Sequence, residues 1–225
     1  MKDGPRIASV AALVGDPARA EILTALMGGQ ALTATELAQV ADITKQTASS
    51  HLAKLLAAGL LAVESQGRHR YFRLSGLDVA HLLESLMGLA YRTGAVRLRS
   101  SPREPLLRKA RVCYDHLAGE LGVLAFESLE RRRYLRREGE ALELTPAGRR
   151  FLEGLGVDLE PRAGERRPPC RACLDWSARR HHLAGLAGAR LLARLYALGW
   201  ARRARAGRVV EFTPAGERAL REAFA

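Results

Sequence analysis

Between Thr44 and Leu61 apolar and polar positions recur with the period of a helix: Ala48, Leu52 and Leu55 fall on one side, Gln46, Ser50 and Lys54 on the other. This pattern predicts a helix with Thr44 as N-cap and Gly59 just past its end, followed by a strand from Leu60 to Val63. Upstream, Asp16-Pro17 supplies an N-cap and a proline for the first helical position, Ile22, Leu23 and Leu26 form an apolar stripe, and Gly28-Gly29 ends the segment. Thr33 and Glu36 have capping-box spacing, Leu37, Ala38 and Ala41 point inward, and Asp42-Ile43 makes a tight turn into the Thr44 helix. Downstream, LLAVESQGRHRYFRLS reads as two strands around Gln66-Gly67, with Leu61 and Val63 on one and Tyr71 and Phe72 on the other. A last helix runs from Ser75 to about Thr93, where Leu83, Leu86, Met87 and Ala90 offer a packing or dimer face and His81 with Glu84 makes a helix-surface pair.

Two short helices joined by a tight turn, the second with small polar residues near its N-terminus, are helix-turn-helix organisation. Amide and hydroxyl groups on the outer face of the second helix suit base edges in a major groove, so double-stranded DNA is the expected partner. The strand pair is a wing whose tip carries Arg68, His69 and Arg70, suited to phosphate or minor-groove contact.

The segments DPARAEILTAL, TATELAQVADITKQTASSHLAKLLAAGLL and GRHRYFRLS, within residues 10–93, together resemble the ArsR/SmtB family of winged-helix repressors. The resemblance covers under half of the chain. It implies a homodimer paired through its first and last helices, binding a partly palindromic operator and releasing it when an effector binds. By position it places Lys45, Gln46, Thr47, Ser49, Ser50 and His51 against the groove, alongside the capping Thr44. Helical projection sets Ser49 near the apolar side, as a packing residue. The family's familiar metal sites are poorly matched: Glu36–Asp42 holds no thiol, and although Asp78 stands at a ligand position, Ala80 and Tyr91 stand where histidines are needed. Asp78 then reads as a first-turn acid favoured by the helix dipole.

The second half carries an internal repeat. LAGELGVLAFESL from 117 aligns with LAGLAGARLLARL from 183, and LTPAGRRFL from 144 with FTPAGERAL from 212. Each copy reads as helix, two strands (Tyr134–Arg137 and Ala141–Leu144 in the first) and a helix capped by the threonine of Thr-Pro-Ala-Gly. The predicted organisation is a winged-helix domain at 1–96, a linker at 97–105, and an effector or dimerisation domain at 106–225 with copies at about 113–156 and 179–225, joined by a loop at Glu160–Pro169. The fold class is mainly α with small β-wings, an α+β protein.

Candidate chemistry lies before each Leu-Ala-Gly. Cys113 and His116 share a face if the segment is helical, and Cys170 and Cys173 form a Cys-x-x-Cys, with His181 and His182 as alternates. Cys113, His116, Cys170 and Cys173 make a tetrahedral ligand set for zinc or another thiophilic metal. A redox switch between Cys170 and Cys173 is the alternative, favoured by Arg171 and nearby arginines, and a third reading has no site, with Cys113 a small buried hydrophobe and His181 and His182 on a surface; Trp176 reads as a core anchor. The functional expectation is a homodimeric repressor released by a metal or redox effector sensed in the C-terminal half. The rivals are a thiol oxidoreductase and an effector-free DNA or protein adaptor. An enzyme is disfavoured because the Cys-x-x-Cys follows a Pro-Pro loop instead of a strand in a βαβ pattern.

Composition refines this picture. The net charge of +12 fits a polyanionic partner, yet basic and acidic residues number nine and eight up to residue 94 and 27 and 16 beyond it. The excess therefore lies outside the reading helix. Three cysteines make no disulfide framework, and no apolar run approaches a membrane span, which fits a cytoplasmic protein.

Overall fold

A computed structural model of the chain describes residues 5–67, 69–95, 104–138, 141–162, 164–165, 167–205 and 207–225. Packing divides it into two units, Met1–Leu83 and Glu84–Ala225. The division falls inside a helix, upstream of the boundary expected at 96; residues 97–103 of the expected linker lie outside the described residues.

The first unit opens with α1 (Ile7–Val14) and α2 (Pro17–Leu26). Asp16 caps α2 by accepting from the Arg19 N–H at 2.9 Å. β1 (Leu32–Thr33) leads directly into α3 (Ala34–Val40), whose capping box is formed in both directions between Thr33 and Glu36. Asp42 takes a left-handed φ of 53° in the turn to α4 (Lys45–Ala57), which Thr44 caps through the Thr47 N–H. β2 (Leu61–Gln66) and β3 (His69–Leu74) pair antiparallel from Leu61 opposite Leu74 to Gln66 opposite His69. β1 adds a third strand on the far side of β3, giving the order β1-β3-β2. Ile22, Leu23, Leu26, Leu37, Leu52, Leu55 and Phe72 are buried, so α2, α3 and α4 close on the sheet through the residues their periodicity placed inward. α5 (Leu77–Arg92) follows and crosses the division between the units.

In the second unit, α6 (Glu104–Lys109) precedes a hairpin of β4 (Arg111–Cys113) and β5 (His116–Ala118). Then come α7 (Glu120–Arg131), the strand pair β6 (Leu135–Glu138) and β7 (Ala141–Leu144), and α8 (Pro146–Gly154). After a loop the same order recurs: hairpin β8 (Arg171–Leu174) and β9 (His181–Ala184), α9 (Gly185–Ala197), strands β10 (Ala201–Arg203) and β11 (Val210–Phe212), and α10 (Pro214–Ala223). Thr145 and Thr213 cap α8 and α10 identically, each accepting from the glycine three residues on.

The two series are interleaved. α7 packs against β9 and α9 against β5. Arg111 bridges to Val209 beside β11, and Cys170 to Leu142 of β7. One core results, running from Val112, Leu117 and Phe126 to Leu183, Leu192, Leu220 and Phe224. Gly119 and Gly185, the glycines of the two Leu-Ala-Gly motifs, have φ of 85° and 80°, and a Cβ there would meet the Arg108 and Pro168 carbonyl oxygens at 2.6 and 2.7 Å. That recurrence in the sequence is a backbone requirement at the turn from hairpin into helix.

Candidate nucleic-acid interface and candidate metal centre

α4 is anchored by buried Ala48, Leu52 and Leu55 and turns Lys45, Gln46, Thr47, Ser50 and Lys54 to solvent. The Thr47 hydroxyl stays within 2.8 Å of that of Thr44, so the two order the helix N-terminus. Ser49 is also exposed, which corrects its expected packing role: it lines a pocket with Ala34, Leu52, Ala53, Leu56, Arg70 and Phe72. His51 is corrected in the other direction. Its Nδ1 lies 3.2 Å from Arg19 Nη1 and its Nε2 4.0 Å from the Asp16 carboxylate, so the ring ties α4 to the start of α2 instead of facing outward. On the wing, His69 and Arg70 are exposed, with the Arg70 guanidinium 5.4 Å from the Phe72 ring centre; Arg68 lies outside the described residues.

In the second unit, each hairpin contributes one cysteine and one histidine directly opposite one another: Cys113 faces His116 across β4-β5, and Cys173 faces His182 across β8-β9. All four are buried, and their ligand atoms lie within 4.8 Å of one another. The two Nε2 atoms are 3.1 Å apart and the rings stack with centres 5.0 Å apart. Each Nδ1 turns toward a carboxylate. Asp115 Oδ1 is 3.1 Å from that of His116, and Asp175 Oδ2 is 3.6 Å from that of His182. Asp115 is held by Arg167 at 2.8 Å. Asp175 is fully buried, pairs with the equally buried Arg111 at 2.9 Å and accepts from the Gly119, Ser177 and Ala178 N–H groups.

These surroundings move the titrations in opposite directions. Burial raises the Asp175 carboxyl, but Arg111 and the N–H donors more than offset it and hold the group well below the usual carboxylate range. Burial alone would lower His116; Asp115 and Cys173 outweigh it and raise the imidazole to about 9. The Cys113 thiol is raised by its hydrogen bond to Cys173, by burial and by Glu84, whereas Cys173 is lowered by the donors around it, Cys113 and the two imidazoles. Glu84 Oε1 accepts from the Cys113 Sγ–H at 3.1 Å and lies 3.4 Å from Arg208 Nη1. Glu84 is therefore a buried residue of this cluster, which corrects its reading as part of a surface pair with His81.

Residues 14–64 match the helix-turn-helix domain family. Over 213 residues the chain is 42% identical to a protein of Bacillus subtilis described as the uncharacterized HTH-type transcriptional regulator YdfF, covering 95% of this chain and 94% of that one. The chain belongs to the HTH-type transcriptional regulators. Among solved structures, the homodimeric winged helix-turn-helix DNA-binding domain of a possible ArsR-family regulator from Mycobacterium bovis is 26% identical, covering 40% of this chain and 90% of that one with a TM-score of 0.35. The cadmium sensor CMTR of Mycobacterium tuberculosis is 28% identical, covering 42% of this chain and 95% of that one with a TM-score of 0.33.

The matched segment spans α2, α3, α4 and the start of β2, with α3 and α4 joined by the tight turn at Asp42. Among the described residues no helix is long and apolar enough to cross a membrane. Of the expected metal ligands, Cys113, His116 and Cys173 come together and Cys170 does not. The reason is the strand. Side chains three apart along extended backbone point to opposite faces, so Cys173 enters the cluster while Cys170 enters the large core, where burial pushes its thiol up to about 12. The same alternation selects between the neighbouring histidines: His182 and Ala184 face the cluster, whereas His181 turns away and its ring centre lies 6.1 Å from that of Phe126. Cys113 and His116 meet across a two-residue hairpin turn with Tyr114 at φ 60°, not along a helix. Trp176 is neither ligand nor plain core anchor; Arg111 lies 4.6 Å from its ring centre. The signal for His182 was present in the repeat, since His116-Leu117-Ala118 and His182-Leu183-Ala184 stand in register.

Proposed function

We propose that the protein is a homodimeric repressor of the ArsR type that binds a duplex operator through α4 and the β2-β3 wing and is released by a metal or redox effector acting on the second unit. The observation that carries the DNA half is the outward face of α4, where Lys45, Gln46, Ser50 and Lys54 are exposed over a buried back. Amide and hydroxyl groups in that position discriminate bases, each good contact contributing roughly 1–3 kcal/mol, while lysine and arginine supply sequence-independent attraction to phosphate.

Pairing of two chains is supported by apolar side chains left exposed on single helices: Ile7 and Val10 on α1, and Leu82, Leu86 and Leu89 on α5, the last three at helical spacing. The effector half rests on the cysteine-histidine cluster, and the interleaved hairpins are read as the two copies of the repeat meeting there.

Operator and random duplexes are compared at matched salt for Gln46→Ala, Ser50→Ala and Lys54→Ala. Gln46→Ala and Ser50→Ala are expected to lose operator preference while keeping random-duplex affinity. Lys54→Ala is expected to weaken both alike and to reduce the salt dependence by about one counterion. Equal losses on both duplexes for Gln46→Ala and Ser50→Ala would remove them from base readout.

A further inference from the structure

We propose that Cys113, His116, Cys173 and His182 form a closed four-coordinate site for one zinc-class divalent ion, which clips hairpin β4-β5 to hairpin β8-β9, with Asp115 positioning the His116 imidazole. The proposal deepens the effector reading above, on which it rests only for the regulatory role of the ion.

Four observations converge. First, the donor set is two sulfurs and two imidazoles, the combination that borderline-soft ions with tetrahedral preference accept. Second, the donors are already gathered to within about 1 Å of the spacing a tetrahedral ion needs. Bonds of about 2.0–2.1 Å to nitrogen and about 2.3 Å to sulfur put tetrahedral donors roughly 3.3–3.8 Å apart; the two Nε2 atoms are 3.1 Å apart and all four donors lie within 4.8 Å.

Third, the histidine orientation accommodates a cation. Carboxylates beside both Nδ1 atoms favour hydrogen on Nδ1, so the two Nε2 atoms face each other across that gap. At that distance a proton or a metal ion lies between them, and the divalent ion takes the place that a proton holds in its absence. Carboxylate-imidazole pairs of this kind orient metal-bound histidines, and among the described residues His182 Nδ1 has no partner within hydrogen-bond reach, Asp175 being slightly too far.

Fourth, charge and enclosure agree. As the two metal-sulfur bonds form, both cysteines are thiolates, their protons having passed to solvent, so two negative charges balance the divalent ion and the filled site is neutral inside the protein. All four residues are buried, and four protein donors leave no coordination position for water or substrate, the character of a structural site instead of a catalytic one. The small side chains around it agree with close approach. A Cβ on Gly122 would lie 3.5 Å from the His182 Cβ, and one on Gly188 3.2 Å from the His116 Cβ, so each hairpin histidine packs against the helix of the other series.

The full-length protein, stripped with chelator under reducing conditions, is titrated with cobalt(II) alone and then with zinc(II). Wild type is expected to bind one equivalent of cobalt per chain, with the visible bands of tetrahedral coordination and thiolate-to-metal charge transfer, both abolished by one equivalent of zinc. Cys170→Ala is expected to keep this spectrum. Cys173→Ser and His182→Gln are expected to lose it, and Asp115→Ala to weaken cobalt binding about 10- to 100-fold. Wild type that stays colourless, or a spectrum that survives Cys173→Ser or disappears with Cys170→Ala, overturns the site. Should Cys173→Ser fail to fold, thermal melting of wild type decides: an upward shift of Tm with equimolar zinc supports the site and an unchanged Tm overturns it. Duplex affinity is measured on the same samples. Colourless protein that still binds DNA defeats the ion site and leaves the DNA reading intact. Stoichiometric metal with unchanged duplex affinity establishes the site as a structural clip and defeats its effector role.

Discussion

α4 and the cysteine-histidine cluster are both rich in polar side chains, and the backbone puts those side chains to opposite uses. On α4 the amides, hydroxyls and ammonium groups face water, and the helix is held from behind by buried Ala48, Leu52 and Leu55 and by His51 against Arg19. In the cluster Cys113, His116, Cys173 and His182 face one another inside the protein, and Asp175 and Arg111 beyond them are fully buried. A polar group in water needs no protein partner, whereas a buried one must find it internally or destabilise the fold. Substitutions on the outer face of α4 should therefore change what the protein binds, and substitutions around the cluster should change whether the second unit holds together.

The sharpest break in that contrast is Asp175→Asn. It strands the Arg111 guanidinium, which stacks on Trp176 with no solvent exposure, so a loss of about 3–5 kcal/mol is expected in the stability of the second unit. Denaturant melts followed by Trp176 and Trp200 fluorescence report it, as both tryptophans lie in that unit. A change under 1 kcal/mol would mean that Arg111 finds another anion or reaches water.

Next in size is Leu52→Ala on the hidden side of α4. Leu52 is 1% exposed, so its truncation should cost about 2–5 kcal/mol through lost burial and the cavity left behind. Gln46→Ala, six residues earlier on the outer face, should leave stability within about 0.5 kcal/mol. Circular dichroism melts of the two variants compare the faces directly, and similar losses would erase the distinction.

What could be read from the sequence follows the same division. The first unit was legible because its signals are local: Asp16 before Pro17, Thr33 with Glu36, Thr44 ahead of the Ala48-Leu52-Leu55 stripe and the wing around Gly67 each act within a few residues. The threonine caps at 145 and 213 were legible for the same reason. Errors arose where a residue's partner is distant. Nothing near His51 in sequence reveals Arg19, and nothing near Glu84 reveals Cys113, 29 positions further on. The short hairpins β4-β5 and β8-β9 carry too few residues for a period to register, so Cys113-x-x-His116 and Cys170-x-x-Cys173 were measured against helical or chelate spacing instead of strand alternation. β1, two residues long, escaped for the same reason.

The smallest expected effect tests whether local polar contacts in the helix-turn-helix unit matter to its stability at all. Thr33 and Glu36 close the N-terminus of α3 reciprocally: the Glu36 carboxylate accepts from the Thr33 N–H at 2.7 Å, and the Thr33 hydroxyl oxygen accepts from the Glu36 N–H at 3.3 Å. Thr33→Ala should cost about 1 kcal/mol, since it leaves one amide at the helix start without its cap. The Thr33 N–H, and after it the Thr33 hydroxyl, hold the Glu36 carboxyl below its ordinary value of 4.5. The folded chain therefore keeps this charge at a pH where the unfolded chain has already taken up a proton. The contribution of Glu36 is present in full above that ordinary value and is lost as pH falls through the lower, folded one. Wild type should thus lose more stability on acidification than Glu36→Gln, with the two curves parallel above pH 6. Melts of both proteins between pH 7 and 3 check the sign, and parallel curves throughout would show that water caps α3 as well as Glu36 does, extending to this helix start the solvent-satisfied character of the α4 face.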